Sequence, residues 1–194
     1  VEHTCENCTL TPVAEFQVFP KIARLSRDIV VTEKIDGTNA VVYVDDQSDI
    51  VLAGSRSRWL SPVKSQDNFG FATWVAEHER ELREGLGPGY HYGEWWGRGI
   101  QRGYGLDEKR FSLFNTSRWT DDVRPKCCHV VPVLYTGPFE TTLIDGWLLS
   151  LQCWGSKAAP GFDKPEGVVI YHRASGALFK KTIEGDAAPK GQQA

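Results

Sequence analysis

The sequence predicts an α+β fold of two largely antiparallel sheets with flanking helices around a pocket. Three observations predict it. Short runs rich in Val, Ile, Tyr, Phe and Thr outnumber the helical stretches. Turns rather than crossover helices join consecutive runs, which favours antiparallel pairing. Only two segments carry a convincing 3.6-residue apolar period.

Taken in order, residues 16–25 read as a lead-in segment. Strands are expected at 29–35 and 39–45, folded about Gly37. A turn at 45–48 leads to a strand at 50–59 that begins by alternating and ends basic. Residues 67–84 predict one helix, with Phe71, Trp74, Val75, His78 and Leu82 on its apolar face. Asp67 or Asn68 caps its start, and Gly85 and Gly87 stop it. Strands follow at 90–97, 111–115 and 129–137, the last an edge or bulged strand because of Pro132. A Gly-rich basic loop fills 98–110. A second helix is expected at 140–154, with Leu143, Ile144, Trp147, Leu148 and Leu151 turned inward. A loop at 155–165 leads to strands at 166–172 and 177–184.

The chain has 194 residues, 41% hydrophobic and 24% charged, which suits one globular core. A formal net charge of -3 argues against a generally basic nucleic-acid coat but leaves room for a local basic groove. No apolar run approaches the roughly 18–20 residues that span a bilayer, so a cytoplasmic protein without membrane contact is expected. The five cysteines fit reduced thiols. Cys5 and Cys8 form a CxxC, which is either half of a zinc site, completed by Cys128, His129 and His3, or a pair of free thiols.

The candidate chemistry centres on Lys34, set between β-branched neighbours where a strand meets the Asp36-Gly37-Thr38 turn. Desolvation by Val31 and Ile35, or a nearby cation such as Lys180 or Lys181, would free the amine to attack. Alone, Lys34 reads as a strand-end lysine snorkelling to water. Four further polar stretches interrupt predicted strands: 55–58 (SRSR), 93–97 (GEWWG), 166–169 (EGVV) and 179–181 (FKK). Arginines that fork onto phosphate, lysines that neutralise a leaving pyrophosphate, glutamates for a divalent metal and an aromatic for a base suit a nucleoside triphosphate attacked by lysine.

These stretches resemble the six motifs of the covalent nucleotidyltransferases, which include polynucleotide ligases and mRNA capping enzymes. Motif I matches Glu33–Asn39, motif Ia Ser55–Arg58, motif III Tyr92–Glu94, motif IIIa Phe111–Asn115, motif IV Glu166–Val169 and motif V Phe179–Lys181. The resemblance covers about 16–184 and implies the ATP-grasp-like nucleotidyltransferase fold. Gly37-Thr38-Asn39 and Gly97-Arg98-Gly99-Ile100-Gln101 are similar to the RNA ligase 2 branch, where DNA ligases usually carry arginine in place of Asn39. The expected organisation is a flexible segment at 1–15, a catalytic domain at 16–185 and a disordered tail at 186–194, with no C-terminal OB-fold or helical domain.

The resemblance implies a role for each matched position. Lys34 would take AMP from ATP. Glu33 would help recognise adenine, with Ile35 at the nucleotide. Asn39 and Arg56 would lie near the phosphates and ribose, and Arg56 also near an RNA 5′-phosphate. Glu94 would bind ribose or a metal-bound water, and Glu166 would hold Mg2+ or Mn2+. Phe114, the second aromatic of its motif, would stack on adenine, leaving Phe111 to the core. Lys180, with Lys181 or a neighbour, would contact the α-phosphate; Lys180-Lys181-Thr182 departs from the usual Lys-x-Lys.

Arg58, Arg98 and Arg102 would contact nucleic acid or phosphate, or stay solvated. Asp36 would either join the site or brace the turn, and Trp95 and Trp96 would pack. The implied activity is an ATP-dependent RNA ligase joining RNA 5′-phosphate and 3′-OH ends, with a separate domain or subunit adding grip. A minimal DNA ligase, or a nucleotide- or RNA-end-binding module without sealing activity, are the alternatives.

Overall fold

The computed structural model describes Glu15 and residues 17–185. The expectations for the first 14 residues, including Cys5, Cys8 and His3, and for the tail at 186–194 lie outside the described residues. Nine strands and three α-helices make up the described chain: β1 (Asp28–Lys34), β2 (Thr38–Val44), β3 (Val51–Gly54), α1 (Phe71–Glu77), α2 (Glu79–Leu86), β4 (Gly89–Gly97), β5 (Lys109–Leu113), β6 (Cys128–Val130), β7 (Val133–Pro138), α3 (Thr141–Trp154), β8 (Gly167–His172) and β9 (Ala177–Thr182).

They form two sheets, β7-β1-β8-β9 and β3-β2-β4-β5-β6. Every pairing is antiparallel except β5 with β6. The expected α+β class with antiparallel sheets holds. Each sheet buries one face, because side chains alternate along a strand. In the four-stranded sheet Ile29, Val31, Val168 and Ile170 pack against Ile144, Leu148 and Leu151 of α3. In the five-stranded sheet Ala40, Val42, Trp95, Phe111 and Leu113 pack against Phe71, Val75, Leu82 and Leu86 of α1 and α2.

The opposite faces carry Lys34 and Glu94. The chain crosses between the sheets twice near them, at 35–37 and at 131–132. A third apolar cluster of Ile35, Trp96, Tyr104, Val131 and Ala159 fills that junction.

Three expected elements differ. The strand at 129–137 is two strands in different sheets. Pro132 has no N–H to extend a ladder, and its carbonyl accepts instead from the Glu33 amide at 3.0 Å. The helix at 67–84 opens with a 3-10 turn and breaks at His78 (φ -110, ψ 13). There the imidazole Nδ1 bonds the Trp74 carbonyl at 2.8 Å and its ring stacks on Trp74, so His78 is a packing residue. The N-cap residue of α1 is Gly70 rather than Asp67 or Asn68, and the Asp67 carboxylate, one 3-10 turn earlier, accepts the Thr73 amide at 3.1 Å. The strand at 50–59 stops at Gly54, where Ser55 N–H bonds the Arg58 carbonyl at 2.8 Å and closes a turn.

Candidate active site

β1 ends at Lys34, and its register against β8 sets what surrounds it. Lys34 pairs with Gly167, Glu33 with Val168 and Thr32 with Val169. Glu166, the residue before β8, is 2% exposed, and Lys34 Nζ donates to its Oε2 at 2.5 Å. The amine, for which desolvation or a nearby cation is the expected activation, is held in an ion pair with a buried carboxylate.

Gly37 brings the second sheet to the same spot. A Cβ on Gly37 would lie 2.5 Å from the Trp95 carbonyl oxygen, so only glycine allows this approach. Its amide donates to Glu94 Oε1 at 3.1 Å, and Asn39 Nδ2 lies 3.5 Å from Oε2. Glu94 and Asn39 are direct cross-strand partners on β4 and β2. Burial pushes the Glu94 carboxyl up to about 7, with Lys34 pulling it down and Glu166 and Asp36 adding to the rise. Lys34, Glu94, Glu166 and Asn39 are therefore brought together.

Register also separates Lys180 from Lys181. Lys180 pairs with Val169, and Lys181 with Val168. Paired residues share a face, so Lys180 stands on the Lys34 face with Thr32 and Val169. Lys181 stands on the other face, where its ammonium pairs with Asp145 of α3. The same alternation turns Glu33 away from Lys34. Glu33 is 1% exposed, and it accepts from Ser156 Oγ at 2.6 Å and from the amides of Lys157 and Ala158 at 2.7 and 2.9 Å. Burial raises its pKa, and these three bonds oppose the rise. In this structure its carboxylate anchors the 156–158 loop.

Arg102, for which phosphate or RNA contact or a solvated position is expected, has its guanidinium engaged within the fold. It reaches Asp36 Oδ2 at 3.0 Å, the Lys164 carbonyl at 3.0 Å and Glu184 Oε1 at 2.8 Å. The Asp36 amide donates to Tyr104 Oη at 2.9 Å. Asp36 thus braces the turn after Lys34. Ile35 is 4% exposed and sits in the inter-sheet cluster.

Phe114 is 40% exposed just after β5, and Phe111 is fully buried in the core. Trp95 and Trp96 are buried as packing residues. Arg56 and Arg58 are exposed in the turn after β3, and Arg98 is exposed in its loop. Val169 lies within the Glu166–Val169 stretch but carries no expected role there, although the alternation of 166–172 puts it on the Lys34 face; Tyr104, for which no local signal exists, is not anticipated by the sequence.

A cleft of about 410 Å³ lies farther along the Glu94 face, lined by Trp96, Ser112, His129, Val131, Lys157 and Ala158 among others. Lys34, Glu94 and Glu166 do not line it. Cys128 and His129 do not converge for zinc: Cys128 faces the core beside Phe111, and His129 the cleft beside Ser112. Among the described residues no group of three His, Cys, Asp or Glu could hold a metal ion by itself. No helix among them is long and apolar enough to cross a membrane.

The fold is similar to solved structures of the Naegleria gruberi RNA ligase. A lysine mutant of that protein with ATP and Mn is 20% identical, with a TM-score of 0.58 over 81% of this chain and 50% of that chain. Its complex with PPi gives the same values. An apo lysine mutant gives a TM-score of 0.57 at the same identity and coverage. The chain thus spans about half the length of these relatives. None of the curated proteins matches it. The RNA ligase family model matches residues 27–182, a span that holds every strand, the Lys34–Glu166 pair and Glu94, and the chain belongs to the RNA ligase family.

Proposed function

We propose that this chain is the adenylylating part of an ATP-dependent RNA ligase, with Lys34 as nucleophile. The observation that carries the reading is the Lys34–Glu166 ion pair, with Glu94 alongside on the facing sheet. Lys34 Nζ would form a bond to the α-phosphorus of ATP as the α–β phosphoanhydride breaks and pyrophosphate leaves. Glu166 Oε2, at 2.5 Å, stands where it can accept the ammonium proton. An RNA 5′-phosphate oxygen would then displace Lys34 from AMP, and an RNA 3′-OH would displace AMP to seal the strand.

Lys180 shares the Lys34 face and would stabilise charge on the transferred phosphate. Phe114 and Val169 would hold the adenine, with Asn39 and Arg56 toward ribose and phosphates. Glu94 suits a divalent cation: its carboxylate is desolvated, and among the described residues its hydrogen-bond donors are an amide at 3.1 Å and a carboxamide at 3.5 Å. With Glu166 it gives the one or two carboxylates that Mg2+ or Mn2+ takes beside phosphates. When bound, such an ion neutralises phosphate charge. Support comes from family membership and from the Naegleria ligase solved with ATP and Mn.

The test is incubation with α-labelled ATP and Mg2+ or Mn2+, then denaturing electrophoresis and a chase with 5′-phosphorylated RNA or DNA. The wild type gains acid-labile label and passes it to RNA, and Lys34→Ala gains none. Label retained by Lys34→Ala would overturn the assignment. Transfer to DNA in preference to RNA would make the chain a DNA ligase.

A further inference from the structure

The face of the five-stranded sheet that carries Glu94 continues outward as an exposed aromatic surface. Tyr92 lies two residues from Glu94 on β4, and Tyr90 two residues farther. Their rings are nearly parallel, at 11° and 6.1 Å between centroids, about the two-residue repeat of a strand. Tyr43 is the direct β2 partner of Tyr90, with ring centroids 4.7 Å apart. Trp59 comes next, 6.1 Å from Tyr43 and 6.3 Å from Tyr90. A Cβ on Gly54 would come within 3.1 Å of the indole, so the missing side chain leaves the ring room against the strand.

Tyr90, Tyr92 and Trp59 are 56%, 59% and 49% exposed. At the inner end the Phe114 amide donates to the Tyr92 carbonyl at 3.0 Å, so the surface is continuous with the candidate nucleotide site. Contiguous exposed rings of this kind, rimmed by polar residues, mark an interaction surface. Exposed Arg56 and Arg58 precede Trp59 in the turn after β3. At the far end Asp45 accepts from the Tyr43 hydroxyl at 3.1 Å, and Asp46 and Asp49 follow. Aromatic faces beside arginines suit bases and phosphates of a single strand. The acidic turn would repel phosphates and marks where such a strand leaves.

We infer that Tyr92, Tyr90, Tyr43 and Trp59 form a base-stacking track for single-stranded RNA, leading away from the nucleotide pocket, with Arg58 on its phosphates. The inference rests on the RNA-ligase reading for its choice of RNA and is tested separately from it.

The full chain is titrated, without nucleotide, against a fluorescein-labelled, 5′-phosphorylated RNA 12-mer, and binding is read by anisotropy. Tyr90→Ala and Trp59→Ala should each weaken binding by about fivefold or more, the usual range for losing one base–aromatic stack. Tyr90→Phe should bind within about twofold of wild type, because the ring and not the hydroxyl carries stacking. Both alanine variants should still label Lys34 with α-labelled ATP. Wild-type affinity in both alanine variants, loss in Tyr90→Phe equal to that in Tyr90→Ala, or no RNA binding by the wild type would each overturn the track. If the wild type takes no label, the adenylylation reading falls, and the nucleotide-free titration still decides the track.

Discussion

Lys34 Nζ lies 2.5 Å from Glu166 Oε2, which ties the last residue of β1 to the residue that precedes β8. Register enforces the pair, since Lys34 sits directly opposite Gly167. Glu166→Gln keeps the shape of the side chain and removes its charge. Its expected effect is a fall of about 10²-fold or more in the rate of lysine labelling, the scale of losing a positioned proton acceptor. Rapid-quench measurement of the adenylylation step reads this directly. A Gln variant within about threefold of wild type would show that the carboxylate charge is not needed.

The two adjacent lysines of β9 should behave oppositely. Lys180 shares the Lys34 face, and Lys181 pairs with Asp145 on the helix side. Lys180→Ala is expected to lose about 10²-fold or more in labelling rate. Lys181→Ala and Asp145→Ala should stay within a few-fold, and because the pair is solvent-exposed each should cost no more than about 1 kcal/mol of stability. Labelling rates for the three variants, with urea melts alongside, separate the two lysines. A larger loss in Lys181→Ala than in Lys180→Ala would reverse the assignment.

Glu94 gives the protein a pH-dependent stability. Its carboxyl ionises at about 7 in the fold against 4.5 ordinarily. Between those values the native state keeps a proton that the unfolded chain has released, so stability falls as pH rises. The contribution is fully present below about pH 4.5 and is lost as pH climbs through about 7, on the order of 3 kcal/mol in all. Glu94→Gln cannot ionise. In metal-free buffer its stability relative to wild type should improve by roughly that amount between pH 5 and pH 8. Urea melts across that range check both sign and size, and a pH-independent difference would contradict the buried-carboxyl account.

Arg102 should act as a clamp. Its guanidinium joins Asp36 after Lys34, the carbonyl of Lys164 before Glu166, and Glu184 after β9. Arg102→Ala leaves the largely buried Asp36 carboxylate without this partner and should cost about 2–3 kcal/mol. Arg102→Lys should recover only part, since a point charge cannot reach three acceptors in a planar fork. Thermal melts of both variants test this. If Lys restores full stability, one contact and not the fork is what matters.

Local pattern made much of this legible. Runs of β-branched residues marked β1, β2 and β8, alternating aromatics marked β4, and the apolar period of 140–154 marked α3 with Ile144 and Leu151 inward. Lys34, Glu94 and Glu166 stood out because polar residues interrupt those runs. Long-range geometry supplied the rest. The partners of Arg102 lie 62 to 82 residues away in sequence, so nothing local shows that its donors are taken. Pro132 reads as a bulge in one strand, but only the sheet pairing shows that its two sides belong to different sheets. The face of Lys180 depends on its register with β8, which hydrophobic pattern leaves open in so exposed a strand.

Glu33 offers the sharpest contrast between resemblance and geometry. The family resemblance gives it adenine, and the structure gives its carboxylate the hydroxyl of Ser156 and the amides of Lys157 and Ala158. Removing that acceptor leaves several donors unmatched at a buried site, at about 1–3 kcal/mol each before relaxation. Glu33→Ala should therefore destabilise the fold by at least about 2 kcal/mol, and Glu33→Gln, which keeps one oxygen acceptor, by less. An adenine-recognition role predicts something different: near-normal stability, with lost labelling restored by more ATP. Melting the two variants and measuring the ATP concentration that half-saturates labelling decides between them. If Glu33→Ala melts like wild type, the loop does not depend on this carboxylate.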